Sequence, residues 1–64
     1  MKTINNRRIA TLFEQGLYFG TVNFYDNKKK LWRIIYDDND SEDFDRQEII
    51  KALQLYDREK KRIQ

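Results

Sequence analysis

The chain has 64 residues, enough for one small domain that buries only ~60% of the surface its unfolded form exposes, and too few for a nucleotide-binding α/β fold or a large substrate cleft. It contains no cysteine and no histidine, which removes disulfides, thiol catalysis, zinc sites of the Cys/His kind and histidine acid–base chemistry. Charged residues make up 38% and apolar residues 39%, with nine aromatics, so the chain reads as soluble and globular, and its formal net charge of +2 gives no direction on partners.

Residues 1–7 are polar and read as a flexible N-terminus. Arg8 to Phe13 reads as a first strand, with Ile9 and Phe13 on one face and Leu12 on the other. Glu14-Gln15-Gly16 is a turn signal, because Gly16 takes φ > 0 without strain. Leu17 to Asp26 is rich in aromatic and β-branched residues and reads as a second strand, with Gly20 marking a bend or bulge. Asn27 to Lys30 is a hairpin turn, and Leu31 to Tyr36 is the third and strongest strand, apolar except for Arg33. Asp37 to Asp40 is a second hairpin turn, with Asn39 expected in the left-handed conformation. Ser41 to Phe44 is a short fourth strand.

At Asp45 the period changes. Asp45 and Glu48 form a capping-box pattern, and Ile49, Ile50, Leu53 and Tyr56 follow helical spacing. The expected helix spans 46–62, with Lys60, Lys61 and Arg62 where cations favour a helix C-terminus. Leu55 lies off the apolar stripe, and the helix from Tyr56 onward extends past what so small a sheet can support. The whole reads as mainly β: a small, strongly bent antiparallel sheet of SH3-like size over residues 8–45, followed by a C-terminal α-helix. Trp32 is read as core.

The +2 is a sum over opposed blocks. Residues 1–33 carry a net +5, residues 34–48 a net −6 and residues 49–64 a net +3. The acidic block holds Asp37, Asp38, Asp40, Glu42, Asp43, Asp45 and Glu48. As paired carboxylates for catalysis these are poor, since Asp37, Asp38 and Asp40 share one turn with no cleft to desolvate them. As a calcium loop the run lacks the glycine and terminal Glu spacing of an EF-hand. No enzyme activity, cofactor or metal is expected.

Two binding chemistries are legible. Arg7, Lys28, Lys29, Lys30 and Arg33, interleaved with aromatics, form a basic set suited to nucleic acid. Phe13, Tyr18 and Tyr36 flank turns, and Tyr36 runs directly into Asp37-Asp38. Aromatic faces attract ammonium groups, alkylated ones above all because water solvates them poorly, and a nearby carboxylate adds Coulomb attraction. That is the recipe for a methyl-lysine cage.

The stretch RIATLFEQGLYFGTVNFYDNKKKLWRIIYDDNDSEDFDRQEI, Arg8 to Ile49, resembles Tudor-like domains of the Royal superfamily. The similarity lies in a Phe closing the first strand, the "YFGTV" second strand, a third strand ending in "YDDND" and the acidic "SEDFD" that enters a helix. The resemblance implies an SH3-like, five-stranded, strongly bent barrel whose fifth strand is often short or replaced by helical turns. It implies binding rather than catalysis, with a cage drawn from Phe13, Tyr18, Tyr36 and Asp38. Where many such domains carry a further aromatic, this chain has Asp40 and Ser41, and the usual turn glycine is Asn39.

The expected function is therefore a non-catalytic interaction module that binds a cationic peptide or histone-like tail, methylated on lysine or arginine, at Phe13, Tyr18, Tyr36, Asp38 and Asp40. The alternatives are a nucleic-acid module using the basic set, and a small scaffold or inhibitor protein that docks or self-associates through Leu55, Tyr56 and Ile63 of the helix. No apolar run reaches the ~20 residues of a membrane span or follows Met1-Lys2 as a signal peptide would, so no membrane partner is expected. The expected location is intracellular, and nuclear for a chromatin reader.

Overall fold

Aromatic and β-branched runs broken by charged turns give four strands, and the change of period at Asp45 gives one helix. A computed structural model describes the backbone of residues 4–63 and the side chains of residues 4–60. The elements are β1 (Arg8–Phe13), β2 (Gly16–Asp26), β3 (Leu31–Tyr36), β4 (Ser41–Phe44) and α1 (Arg46–Ile63). The strands form one antiparallel sheet in the order β1-β2-β3-β4. Mainly β, with a C-terminal helix, it has the expected architecture. Where the resemblance implies a fifth strand, the described residues have the helix.

β2 is the organising strand. Its first half pairs with β1 from Gly16 to Thr21, and its second half pairs with β3 from Gly20 to Asp26. The bulge falls between Val22 and Phe24 rather than at Gly20. Gly20 is needed for a different reason: a Cβ there would lie 3.0 Å from the Ile35 carbonyl oxygen and 3.1 Å from the Tyr36 ring. Gly16 opens β2 at φ 135°, which lets Glu14-Gln15 close a two-residue hairpin.

The sheet curls. Laid flat, β1 and β4 would stand ~14 Å apart at the usual strand spacing of ~4.8 Å. Instead the Tyr36 hydroxyl donates to Glu42 Oε1 of β4 at 2.7 Å and lies 3.3 Å from Thr11 Oγ1 of β1. Ile9, Val22, Ile34 and Ile49 fill the enclosed side, with Trp32, Tyr36, Phe44 and Ala52 around them. Trp32 is thus core, as read from the sequence. Within the segment read as flexible, Ile4 packs against this core and the Asn6 N–H donates to the Val22 carbonyl at 2.7 Å. Residues 1–3 lie outside the described residues.

The capping box forms as the pattern predicts: Asp45 Oδ1 accepts from Glu48 N–H, and Glu48 Oε1 accepts from Asp45 N–H. The helix lies mainly against β1. Its buried face is Ile49, Ala52, Leu53 and Tyr56, a strict i, i+3, i+4, i+7 set; Ile50, placed on the stripe by the sequence, is 43% exposed because it sits one residue, ~100°, off that face. Tyr56 is also taken within the chain, packing edge-on against Phe19 at 5.9 Å. The side chains of Lys61, Arg62 and Ile63, named above as capping cations and an association contact, lie outside the described residues. Among the described residues no helix is long and apolar enough to cross a membrane.

Candidate functional site

Curling the sheet lays the β1–β2 hairpin against the β3–β4 turn. Phe13 closes β1, Tyr18 sits two residues into β2 and Tyr36 closes β3. Phe13 and Tyr18 meet at 5.3 Å between ring centroids with planes 79° apart. Phe13 and Tyr36 meet at 5.9 Å and 65°. Phe13 thus meets both tyrosines edge-on, with Tyr36 beneath and Tyr18 beside it. Tyr36, at 6% exposure, is the floor and also core; Phe13 and Tyr18, at 37% and 36%, are the exposed walls.

These rings bound an open cavity of about 500 Å³ that also takes in Asp38 and Asp40, so all five residues expected to bind peptide line one space. Gln15, Ser41 and Glu42 line it as well and were not foreseen. The signal for Glu42 was in the sequence. With Phe44 buried, the two-residue period of β4 puts Glu42 on the same face, toward Tyr36.

The turn that supplies the carboxylates is pinned by its own backbone. The Asn39 N–H donates to the Tyr36 carbonyl, the Tyr36 N–H to the Asp40 carbonyl, and Asp38 Oδ1 accepts from the Asp40 N–H at 3.0 Å. Asn39 has φ 72°, the left-handed conformation expected of it.

The acidic block divides by task. Asp37 is held by Arg8 in a two-pronged pair, both contacts at 2.8 Å, and Arg8 reaches Thr21 Oγ1 at 3.0 Å as well. The guanidinium holds the Asp37 carboxyl below its ordinary range, and the pair raises Arg8 in turn. Asp43 is paired with Arg33, and Asp45 and Glu48 cap α1. That leaves Asp38, Asp40 and Glu42 around the rings. Burial, with the Glu42 and Asp40 carboxylates adding to it, pushes the Tyr36 phenol up to about 12, so the floor of the cavity stays a neutral ring. Among the described residues no group of three or more acidic side chains is placed to hold a metal ion.

The basic set is not gathered in the same way. Lys28, Lys29 and Lys30 are exposed on the β2–β3 turn, where Asp26 Oδ1 accepts from the Lys28 and Lys29 N–H groups. Arg33 is committed to Asp43 and lies 5.8 Å from the centre of the Phe24 ring. Arg7 is exposed and stands beside Val22, four residues of β2 away from that turn.

Residues 7–53 match the family described as PTM/DIR17-like, Tudor domain, which covers all four strands and the first two turns of α1. No curated protein and no solved structure matches the chain.

Proposed function

This chain belongs to the PTM/DIR17-like Tudor domain family, whose members are generally non-catalytic interaction modules, and from that premise we propose that it binds a peptide bearing a methylated lysine. The observation that carries the reading is the cavity itself: Phe13 edge-on to both Tyr18 and Tyr36, beside Asp38, Asp40 and Glu42. Rings attract an alkylated ammonium by their quadrupoles, at about 0.5–2 kcal/mol each depending on desolvation. The carboxylates add Coulomb attraction and accept the N–H of a lower methyl state. A methylated arginine offers the same charge in a flatter shape and is the second ligand to try. A histone-like tail is a natural source of either, which would place the protein in the nucleus.

The test is a titration of unmodified, mono-, di- and trimethyl-lysine peptides and a dimethyl-arginine peptide, followed by calorimetry or amide shifts. Methylation should tighten binding about tenfold, and Tyr18→Ala should remove that gain without unfolding the chain, because Tyr18 is partly exposed. Equal, weak binding of all peptides by wild type and Tyr18→Ala would overturn the reading.

A further inference from the structure

Of the three carboxylates in the aromatic cavity, two are fixed by their own turn and one by a ring. Asp38 Oδ1 accepts from the Asp40 N–H at 3.0 Å, and Asp40 Oδ1 accepts from the Ser41 N–H at 3.1 Å, so both are set by the local backbone. Glu42 stands on β4, outside the turn, and is held by Tyr36, whose hydroxyl donates to Glu42 Oε1 at 2.7 Å. A phenol has one proton, and the charged, closer Glu42 takes it. Thr11, at 3.3 Å, is then the donor to the phenol oxygen. Burial keeps the Tyr36 proton in place well above neutral pH, so the relay from Thr11 through Tyr36 to Glu42 runs in one direction. It joins β1, β3 and β4 and ends on a carboxylate that lines the cavity.

With Oε1 taken by Tyr36, Glu42 has Oε2 for a ligand. An ionised carboxylate only accepts, so what it needs from an alkylated ammonium is an N–H. Dimethyl-lysine keeps one N–H and still offers two methyls to the rings. Trimethyl-lysine has none: on entering it would strip water from Oε2 and give no hydrogen bond in return, which leaves a charged acceptor unsatisfied. Unmodified lysine has the N–H groups but no methyl, and its strongly hydrated ammonium favours water over the rings.

We infer that Glu42, oriented by the Tyr36 hydroxyl, sets the methylation state the site reads, and that this state is dimethyl-lysine ahead of trimethyl-lysine. The inference rests on the cage reading and names its ligand more closely. Tyr36 has two tasks in it: the ring is the floor of the cavity, and the hydroxyl positions Glu42.

The test titrates the whole chain with peptides of one sequence carrying unmodified, dimethyl- or trimethyl-lysine, followed by calorimetry. Wild type should bind the dimethyl peptide about tenfold tighter than the trimethyl one, as expected for one hydrogen bond to a charged group. Glu42→Gln, a change at an exposed site, should erase that preference. Glutamine has one acceptor oxygen, which the Tyr36 hydroxyl takes, and it turns an NH2 donor toward the ligand. Tyr36→Phe keeps the ring and should lower dimethyl affinity more than trimethyl affinity, bringing the ratio toward one, which a loss of packing alone would not do. Asp38→Asn should weaken both peptides alike and keep the ratio. If wild type binds trimethyl-lysine as tightly as dimethyl-lysine, the inference fails and the cage reading stands. A preference that survives Glu42→Gln but not Asp38→Asn would overturn the role of Glu42. If the unmodified peptide binds as well as the methylated ones, the cage reading fails and the inference with it.

Discussion

The β2–β3 turn and the β3–β4 turn are built alike. Each has an aspartate whose side chain accepts backbone N–H groups within the turn, Asp26 in the first and Asp38 in the second. Each puts a non-glycine residue in the left-handed region, Lys30 at φ 60° and Asn39 at φ 72°. Each is crowded with charge of one sign. Only the second is a site, because the curl of the sheet sets the Phe13 and Tyr18 rings against it, whereas the first lies where β2 and β3 run on beyond β1. A charge run is thus made into a site by what the fold brings to it, and the two turns should respond differently to mutation, ligand and pH.

The sharpest contrast is between Tyr36 and the lysines. Tyr36→Ala removes a buried ring at a cost of about 3–5 kcal/mol. A core this small supplies little more than that, so the variant should show an unfolded circular-dichroism spectrum at room temperature. Tyr36→Phe keeps the ring and gives up the bond to exposed Glu42, at about 1 kcal/mol, and should still bind a trimethyl-lysine peptide. Lys28→Ala should stay within about 0.5 kcal/mol of wild type. Comparable losses at Tyr36 and Lys28 would break the distinction between the turns.

The same tyrosine should mark the alkaline limb. Its ionisation is raised to about 12 in the folded chain, against an ordinary value near 10 once unfolded. Below pH ~10 both states hold the proton and the contribution to stability is complete. Above it the unfolded state releases the proton first, and stability is lost as pH rises toward 12. Ultraviolet absorbance should show a late tyrosine ionisation, and Tyr36→Phe should abolish it. A late step that survives in Tyr36→Phe would show that the burial of this ring is misassigned.

Much of this was legible in the sequence because it is local. The strands, both turns, the left-handed Asn39 and the Asp45–Glu48 box each rest on neighbours in the chain, and period and turn chemistry report those directly. The three rings were identified as well, though the angles between them were not. What was hidden depends on residues far apart. Ala52 is too small to announce a buried face, so Ile50 took its place in the pattern. Gly20 reads as a bend, but its missing Cβ makes room for Ile35 and Tyr36 across the strand. Arg8 reads as one more cation near Arg7, yet it is spent on Asp37, 29 residues away.

The finest separation of the turns comes from glycine at the two left-handed positions. The left-handed conformation costs a lysine roughly 1–2 kcal/mol and an asparagine less, since its short polar side chain is tolerated there. Glycine relieves that cost but gives back about 0.4–1 kcal/mol through the freer unfolded chain. Lys30→Gly should therefore stabilise the protein by roughly 0.5 kcal/mol, raising the melting temperature by a few degrees. Asn39→Gly should be neutral or slightly destabilising, and only it should weaken a trimethyl-lysine peptide, because glycine at 39 loosens the turn that carries Asp38 and Asp40 beside the rings. If Lys30→Gly instead weakens the peptide while Asn39→Gly does not, the ligand lies on the basic turn. If Lys30→Gly lowers a salt-sensitive affinity for RNA or DNA, that turn holds a site of its own.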